Sequence, residues 1–302
     1  MFRYLERSEN VARLLDAGFR IALTRSESAD QEWASILSTI DAREAYDAQH
    51  DGYAAGAVIN FLLRDTSGPT SVLSMAEAAR TNAREVRTAL TREVFEATNE
   101  NYLNLKDLLA RPVRERDLPA VLRAIRQQSA LVRGALHGTM LRNDIYSFAR
   151  LGTFLERADN TARILDVKYY VLLPSMAHVG AAIDNVQWET ILRALSALQA
   201  YRWLQKDEVS PTAIGEFLIL DPRMPRSLAF CCQAIAENLE LISREYGERP
   251  PAVDFAQEHR RRLVGSTIQG IMEEGLHEAL ENFIGVNNTL AAQIERDYRF
   301  YE

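Results

Sequence analysis

The strongest constraint on the fold of this chain is an internal repeat. The segments Leu5–Asp16 (LERSENVARLLD) and Leu155–Asp166 (LERADNTARILD) have the same residue at eight of twelve positions. Further matches follow downstream at an offset of 155 or 156 residues, and they pair Trp33 with Trp188, Tyr46 with Tyr201, Phe61 with Phe217, Asp65 with Asp221 and Ser71 with Ser227. We therefore predict a single domain, 1–302, that is built from two pseudo-symmetric halves, 1–142 and 143–302.

The hydrophobic pattern of both halves is typical of helices. Apolar residues recur at steps of three and four along segments such as Val11–Leu23 and Leu228–Tyr246. All nine prolines fall between such segments or in their first turns, where a helix tolerates a missing N–H group. Asp117, Ser210 and Asp254 precede helical segments and are predicted N-caps. The fold class is therefore all-α, a helical bundle of about ten to twelve helices.

Composition excludes several classes of protein. The chain has 302 residues and a net charge of −7, whereas a dedicated nucleic-acid binder needs a basic face. No apolar stretch approaches the roughly 20 residues of a membrane span, and the charged start of the chain is unlike a signal peptide. The adjacent Cys231 and Cys232 are expected to be buried, reduced thiols. These features predict a cytoplasmic protein that binds neither nucleic acid nor membrane.

The repeated segment places three kinds of polar side chain on one side of a helix. Glu6, Asn10 and Arg13 have the spacing i, i+4, i+7, which keeps them within about 60° on a helical wheel. Arg7 falls in the apolar arc and needs a carboxylate or carbonyl partner, because an unpaired buried charge is very costly. The partner could be an acidic group of the other half, and Asp16 and Asp166 are among the candidates for the two copies.

The second copy repeats the arrangement. Glu156, Asn160 and Arg163 form the polar stripe, Arg157 lies among apolar residues, and Asp166 ends the segment. A carboxylate, an amide and a guanidinium can chelate a polar ligand, or they can form a closed network that fixes how two helices pack. A composite site, with one Glu and one Arg from each half, is a third arrangement that the duplication permits.

Other residue patterns in the sequence are weaker indications of a catalytic or metal-binding site. Glu274-x-x-His277 has the spacing of half a di-iron site, but the sequence has no second Glu-x-x-His, which favours a solvated helix face. The five histidines show no metal-binding spacing, and neither a Gly-rich phosphate loop nor a Gly-x-Ser-x-Gly nucleophile elbow is present. We therefore predict no metal and no cofactor. Trp33, Trp188 and Trp203 are interpreted as core residues.

The repeated string Leu-Glu-Arg-x-x-Asn-x-Ala-Arg-hydrophobic-Leu-Asp resembles the bacterial alpha-E family of all-helical proteins, which are named for a Glu-Arg motif. The resemblance covers essentially the whole chain and is most specific in Leu151–Asn160. It maps the family motif onto Glu6, Arg7, Asn10 and Arg13, and again onto Glu156, Arg157, Asn160 and Arg163. Family members usually carry about a dozen further residues before the first motif, so the resemblance implies a late start assignment or a truncated first copy.

The resemblance implies that members of this family are companion proteins of ATP-grasp ligases and of transglutaminase-like proteins. The resemblance therefore implies a helical partner or substrate-binding component of a system that forms peptide or amide bonds. In that hypothesis the arginines of the motif hold carboxylates of a peptide or amino acid by bidentate pairing, and the glutamates orient these arginines or receive an amine. One alternative is a stand-alone enzyme with Glu6 or Glu156 as general base. Another is a purely structural scaffold or oligomerisation module, and a homo-oligomer is compatible with each hypothesis.

Overall fold

A computed structural model describes residues 1–22, 29–172, 182–204 and 210–300. Within these ranges the chain forms fifteen α-helices and two short 3-10 turns, Arg87–Ala89 and Glu115–Asp117, and no strand. The all-α class is confirmed, and the helix count is somewhat higher than predicted. One reason is that the helical pattern of Trp188–Leu204 and of Ile268–Tyr298 is continuous, whereas the structure divides each segment between two helices.

The described chain divides into two compact units, Met1–Arg142 and Asn143–Glu302. The helices of unit 1 are α1 (Phe2–Ala22), α2 (Ala29–Thr39), α3 (Arg43–Asp47), α4 (Ala55–Arg64), α5 (Val72–Glu85), α6 (Arg92–Leu108) and α7 (Leu118–Thr139). Four long helices form a ring, in which α1 and α6 each pack against both α5 and α7. Helix α1, which carries the first motif, is thus covered on two sides.

Unit 2 contains α8 (Asp144–Leu172), α9 (Ala182–Ala194), α10 (Leu198–Leu204), α11 (Pro211–Ile219), α12 (Leu228–Tyr246), α13 (Pro251–Val264), α14 (Ile268–Glu274) and α15 (Leu276–Asp297). Its long helices have a similar order of neighbours, because α8 and α13 each pack against both α12 and α15. Helix α8 carries the second motif. These neighbour relations hold within each unit, and the pseudo-symmetric arrangement of the halves stays a prediction.

Most of the aromatic and thiol side chains lie where the sequence predicts. Trp33 and Trp188 are buried in the cores of their units, and both cysteines are buried thiols outside any disulfide. Burial raises the pKa of the Cys232 thiol, so it stays protonated. The prediction for Trp203 was wrong, because this side chain is 73% exposed. Tyr201 takes the inward position of α10, and a residue two places later points to another face of the helix.

The predicted N-caps have different outcomes. Ser210 caps α11 by accepting a hydrogen bond from the backbone N–H of Ala213 at 3.5 Å, which confirms that prediction. Asp117 stands at the N-cap position of α7 without a capping bond from its side chain, which instead accepts from Arg114 at 2.9 Å. Asp254 is not an N-cap, because α13 already begins at Pro251 and leaves Asp254 inside its first turn.

The same kind of capped turn precedes a long helix in both units. Ser71 accepts a hydrogen bond from the backbone of Ser74 at 3.1 Å at the start of α5. Ser227 accepts one from the backbone of Phe230 at 3.0 Å at the start of α12, and its hydroxyl donates to the carbonyl of Asp221 at 2.6 Å. Both serines are fully buried, so each hydroxyl completes the hydrogen bonding of backbone groups that water does not reach.

We expect the Ser227→Ala substitution to lower the free energy of unfolding by roughly 1–2 kcal/mol, because it removes an N-cap and the hydroxyl that donates to the carbonyl of Asp221. Urea denaturation followed by circular dichroism measures this change. The matched control is Ser266→Ala, at an exposed serine whose hydroxyl donates to the carbonyl of Arg262. An equal loss of stability in both variants would contradict the capping role.

Candidate functional site

The first copy of the motif lies on the covered side of α1. The side chains of Glu6, Asn10, Arg13 and Asp16 are buried, and Arg7 is half-buried. The sequence predicts that Glu6, Asn10 and Arg13 share one face of a helix, and the 21-residue α1 provides that helix. The face is directed into the protein rather than towards solvent.

A buried ion network joins this face of α1 to α7. Arg13 donates to one carboxylate oxygen of Glu9, from Nε at 3.0 Å and from Nη2 at 2.7 Å. Arg133 of α7 donates to the other oxygen of Glu9 and, at 3.4 Å, to Glu6. Glu9 and Glu6 are 0% and 1% exposed. Both carboxylates therefore depend on protein donors for the charge compensation that water gives elsewhere.

A second contact between the same helices lies further along α1. Asp16 accepts a hydrogen bond from Arg126 of α7 at 3.1 Å and another from Arg20 of its own helix at 3.2 Å. Arg126 and Arg133 are seven residues apart, which is two helical turns, so they reach α1 from one face of α7. The acidic groups of the first motif are therefore matched by guanidinium groups within unit 1.

The second copy of the motif, on α8, is more open. Glu156 and Asn160 are buried, but Arg157, Arg163 and Asp166 are only partly so. Arg163 donates from Nε to Asp159 at 2.7 Å, and the two side chains are 27% and 20% exposed. A charged pair at the edge of solvent can also meet a ligand, which the buried network of α1 cannot do without opening.

Arg157 has the carbonyl partner that its place in the apolar arc requires. Its Nη1 donates to the backbone carbonyl of Pro225 at 3.4 Å, and its guanidinium lies 5.2 Å from the centre of the Phe154 ring. This position permits a cation–π attraction in addition to the hydrogen bond. Nearby, the hydroxyl of Thr161 donates to the backbone carbonyl of Arg226 at 2.7 Å. Motif residues of α8 thus hold the turn that leads into α12.

Asp166 ends the second motif in contact with a histidine. Its Oδ1 lies 2.7 Å from Nδ1 of His277 at the start of α15, and Nε2 of the same ring lies 3.6 Å from Glu281. The hydrogen bond to Asp166 raises the pKa of His277 above its ordinary value, while burial raises the pKa of Asp166. The interpretation of Glu274 and His277 as a solvated helix face was wrong for His277, whose side chain is only 12% exposed.

The two motifs differ in the cations that face them. In unit 1 the partner of the terminal aspartate, Arg126, is followed seven residues later by Arg133. In unit 2 the partner of the terminal aspartate is His277, and the residue seven positions later is Ile284. The terminal aspartate of the first motif therefore meets a permanently charged guanidinium, whereas that of the second motif meets an imidazole.

Sequence reasoning missed three residues of the network, Glu9, Arg126 and Arg133. The spacing i, i+4 of Glu9 and Arg13 was a usable signal for an ion pair within one helix. The spacing of seven between Arg126 and Arg133 indicates that they share a face, but nothing in the sequence shows which helix that face meets. Their partners on α1 are more than a hundred residues away in the sequence.

No cluster of metal ligands is present in the described part of the chain. There, no three His, Cys, Asp or Glu residues are grouped so that they could hold a metal ion. A cavity of about 170 Å³ lies in unit 2 between Ser243, Tyr246 and Tyr298, and no predicted site residue lines it. None of the helices within the described ranges combines the length and apolarity of a membrane span.

Comparison with known proteins identifies the family. The family model for Alpha-E, described as "a predicted alpha-helical domain with a conserved ER motif", matches residues 1–299. No curated protein and no solved structure matches the chain. Glu6-Arg7 and Glu156-Arg157 are Glu-Arg pairs, and they lie on the two helices α1 and α8 that are central to their units. The chain belongs to the Alpha-E family.

Proposed function

We propose that this protein is a helical partner component of an ATP-grasp-linked system that forms peptide or amide bonds. The observation that supports the proposal is that the carboxylates of the first motif are already paired, because Arg13 and Arg133 bind its glutamates inside unit 1. Buried, paired carboxylates are suited to hold two helices together and poorly suited to proton transfer. The ligase chemistry would therefore belong to the partner, which the resemblance to companions of ATP-grasp enzymes supports.

In this proposal the second motif recognises a carboxylate of the peptide or amino-acid substrate. Arg157 and Arg163 are partly exposed on α8, and a guanidinium presents a planar fork of donors that matches a carboxylate. Asp159 beside Arg163 would orient the guanidinium or accept an amine of the same ligand. The net charge of −7 places these arginines in an acidic protein, which would restrict anionic ligands to local cationic positions.

Titration calorimetry of the chain with a purified ATP-grasp ligase from the same genome tests the proposal. We expect saturable binding, strengthened by a dipeptide substrate of the ligase. Arg163→Gln should weaken the peptide-dependent part about tenfold or more, because a hydrogen bond to a charged group contributes roughly 1.5–3 kcal/mol. The control is Arg193→Gln on α9, whose Arg193–Glu189 pair has the same i, i+4 spacing and is exposed.

A purely structural scaffold is the second candidate function, and the closed network of the first motif favours it. Absence of any heat of binding at high micromolar concentrations of the ligase would contradict the partner role and leave the scaffold. Binding that Arg163→Gln and Arg193→Gln weaken equally would preserve the partner role and remove the carboxylate site on α8.

A further inference from the structure

The terminal aspartates of the two motifs are bound by different kinds of cation. Asp16 on α1 meets Arg126 of α7 at 3.1 Å, and a guanidinium stays charged at every pH at which a protein folds. Asp166 on α8 meets His277 of α15 at 2.7 Å, and an imidazole gains or loses its charge near neutrality. In both units the contact joins the helix of the motif to the last long helix of the unit.

The contact between His277 and Asp166 is largely shielded from water, so it contributes to the packing of the two helices. The side chains of His277 and Asp166 are 12% and 16% exposed, so water screens their attraction only partly. Since α15 begins at Leu276, His277 lies in its first turn and fixes the point where α15 enters the unit. A change in this contact therefore acts on the start of α15 and on the adjoining α14.

The charges around His277 favour its protonated form. Glu278 and Glu281 lie on α15 itself, Asp166 faces the ring from α8, and Arg163 of α8 acts on Asp166 as the opposing cation. From α14, the exposed Glu273 and Glu274 precede the ring in the chain. From α13, His259 meets α15 further along, against Phe283. Carboxylates thus outnumber cations near the ring.

We propose that the Asp166–His277 contact is a proton-controlled clasp that holds the start of α15 to α8. In the protonated state an imidazolium faces the carboxylate as an ion pair. Loss of the proton leaves a neutral hydrogen bond, while the negative charges of Asp166, Glu278 and Glu281 remain. The start of α15 then opens more often, which makes unit 2 responsive to pH where unit 1, with Arg126, is not.

The direction of the effect follows from the raised pKa of His277. A group whose pKa is higher in the folded state contributes its full stabilisation below its unfolded value of about 6.5. That stabilisation is lost as the pH rises through the folded pKa. Alkaline conditions should therefore loosen the start of α15.

Hydrogen exchange of the intact chain, corrected for intrinsic exchange rates, tests the clasp at the amides of Leu280 to Phe283. We expect wild-type protection to fall roughly three- to tenfold between pH 6 and pH 9. His277→Arg, which copies the permanent charge of Arg126, should keep high protection at both pH values. His277→Gln should show low protection at both, because it retains polarity and lacks the charge.

Two outcomes would overturn the proposal. One is a wild type whose protection at these amides changes with pH no more than that of His277→Arg. The other is a ring titration by NMR in which His277 of the wild-type chain has a pKa at or below 6.5. The second measurement needs no variant, so it decides the question even where a substitution at this position prevents folding.

Discussion

Replacement of Arg133 by methionine should lower the melting temperature of the protein by on the order of 10 °C. The substitution keeps most of the side-chain volume and removes the α7 cation from Glu6 and Glu9, which are almost fully buried. Breaking a buried ion pair at one partner costs roughly 3–5 kcal/mol, and proteins of this size lose about 2–4 °C per kcal/mol. Differential scanning calorimetry measures the shift.

The exposed pair of Arg92 and Glu96 on α6 provides the control, because Arg92→Met removes the same kind of charge from solvent-facing side chains. We expect no resolvable change in melting temperature there. The double variant Arg133→Met, Glu6→Gln should recover part of the loss, since it removes the Glu6 charge together with its α7 partner while Arg13 still compensates Glu9. A melting temperature of Arg133→Met within 2 °C of wild type would contradict the framework role of the first motif.

Acidification should destabilise unit 2 through His259. This side chain is 8% exposed, its Nε2 has no hydrogen-bond partner within the described structure, and its ring packs 4.9 Å from that of Phe283. Burial, with a smaller effect of Arg262, lowers the pKa of His259 to about 4. The folded state therefore favours the neutral ring, and below the unfolded value of about 6.5 the unfolded chain binds the extra proton.

The stabilisation that depends on neutral His259 is complete above pH 6.5 and is lost as the pH falls towards 4. A difference of this size corresponds to a loss on the order of 3 kcal/mol. Urea denaturation at pH 7.5 and pH 4.5 should show it in the wild type, and His259→Leu should reduce the difference. His137→Gln, at an exposed histidine, serves as the control. Identical acid sensitivity of wild type and His259→Leu would assign the loss to other groups.

Much of the fold was accessible from the sequence, because helical periodicity is a local property. The segments around Val11 and Leu228 fall in α1 and α12 as predicted. The pattern is continuous through Trp188–Leu204 and Ile268–Tyr298, so it did not separate the short helices α10 and α14 from the longer helices beside them. Trp203 was assigned to the core because an aromatic residue in a helical segment carries no sign of which way it points.

The candidate site was accessible only in part. A helical wheel places Glu6, Asn10 and Arg13 on one face, and the structure agrees, since all three are buried on α1. Whether such a face binds a ligand or another helix depends on what covers it, and Arg126 and Arg133 come from a helix more than a hundred residues away. The contact of Asp166 with His277 was missed for the same reason.

The buried contacts of Glu9 have a consequence for how the two copies of the motif can vary. On α1 and α7, loss of Glu9 or of Arg133 alone leaves a buried charge with fewer partners, so substitutions there are tolerated mainly in compensating sets. Arg163 and Asp159 on α8 are partly exposed, so water compensates a charge that loses its partner. The second copy is therefore under fewer joint constraints, and it is the one in which a new specificity can arise by single substitutions.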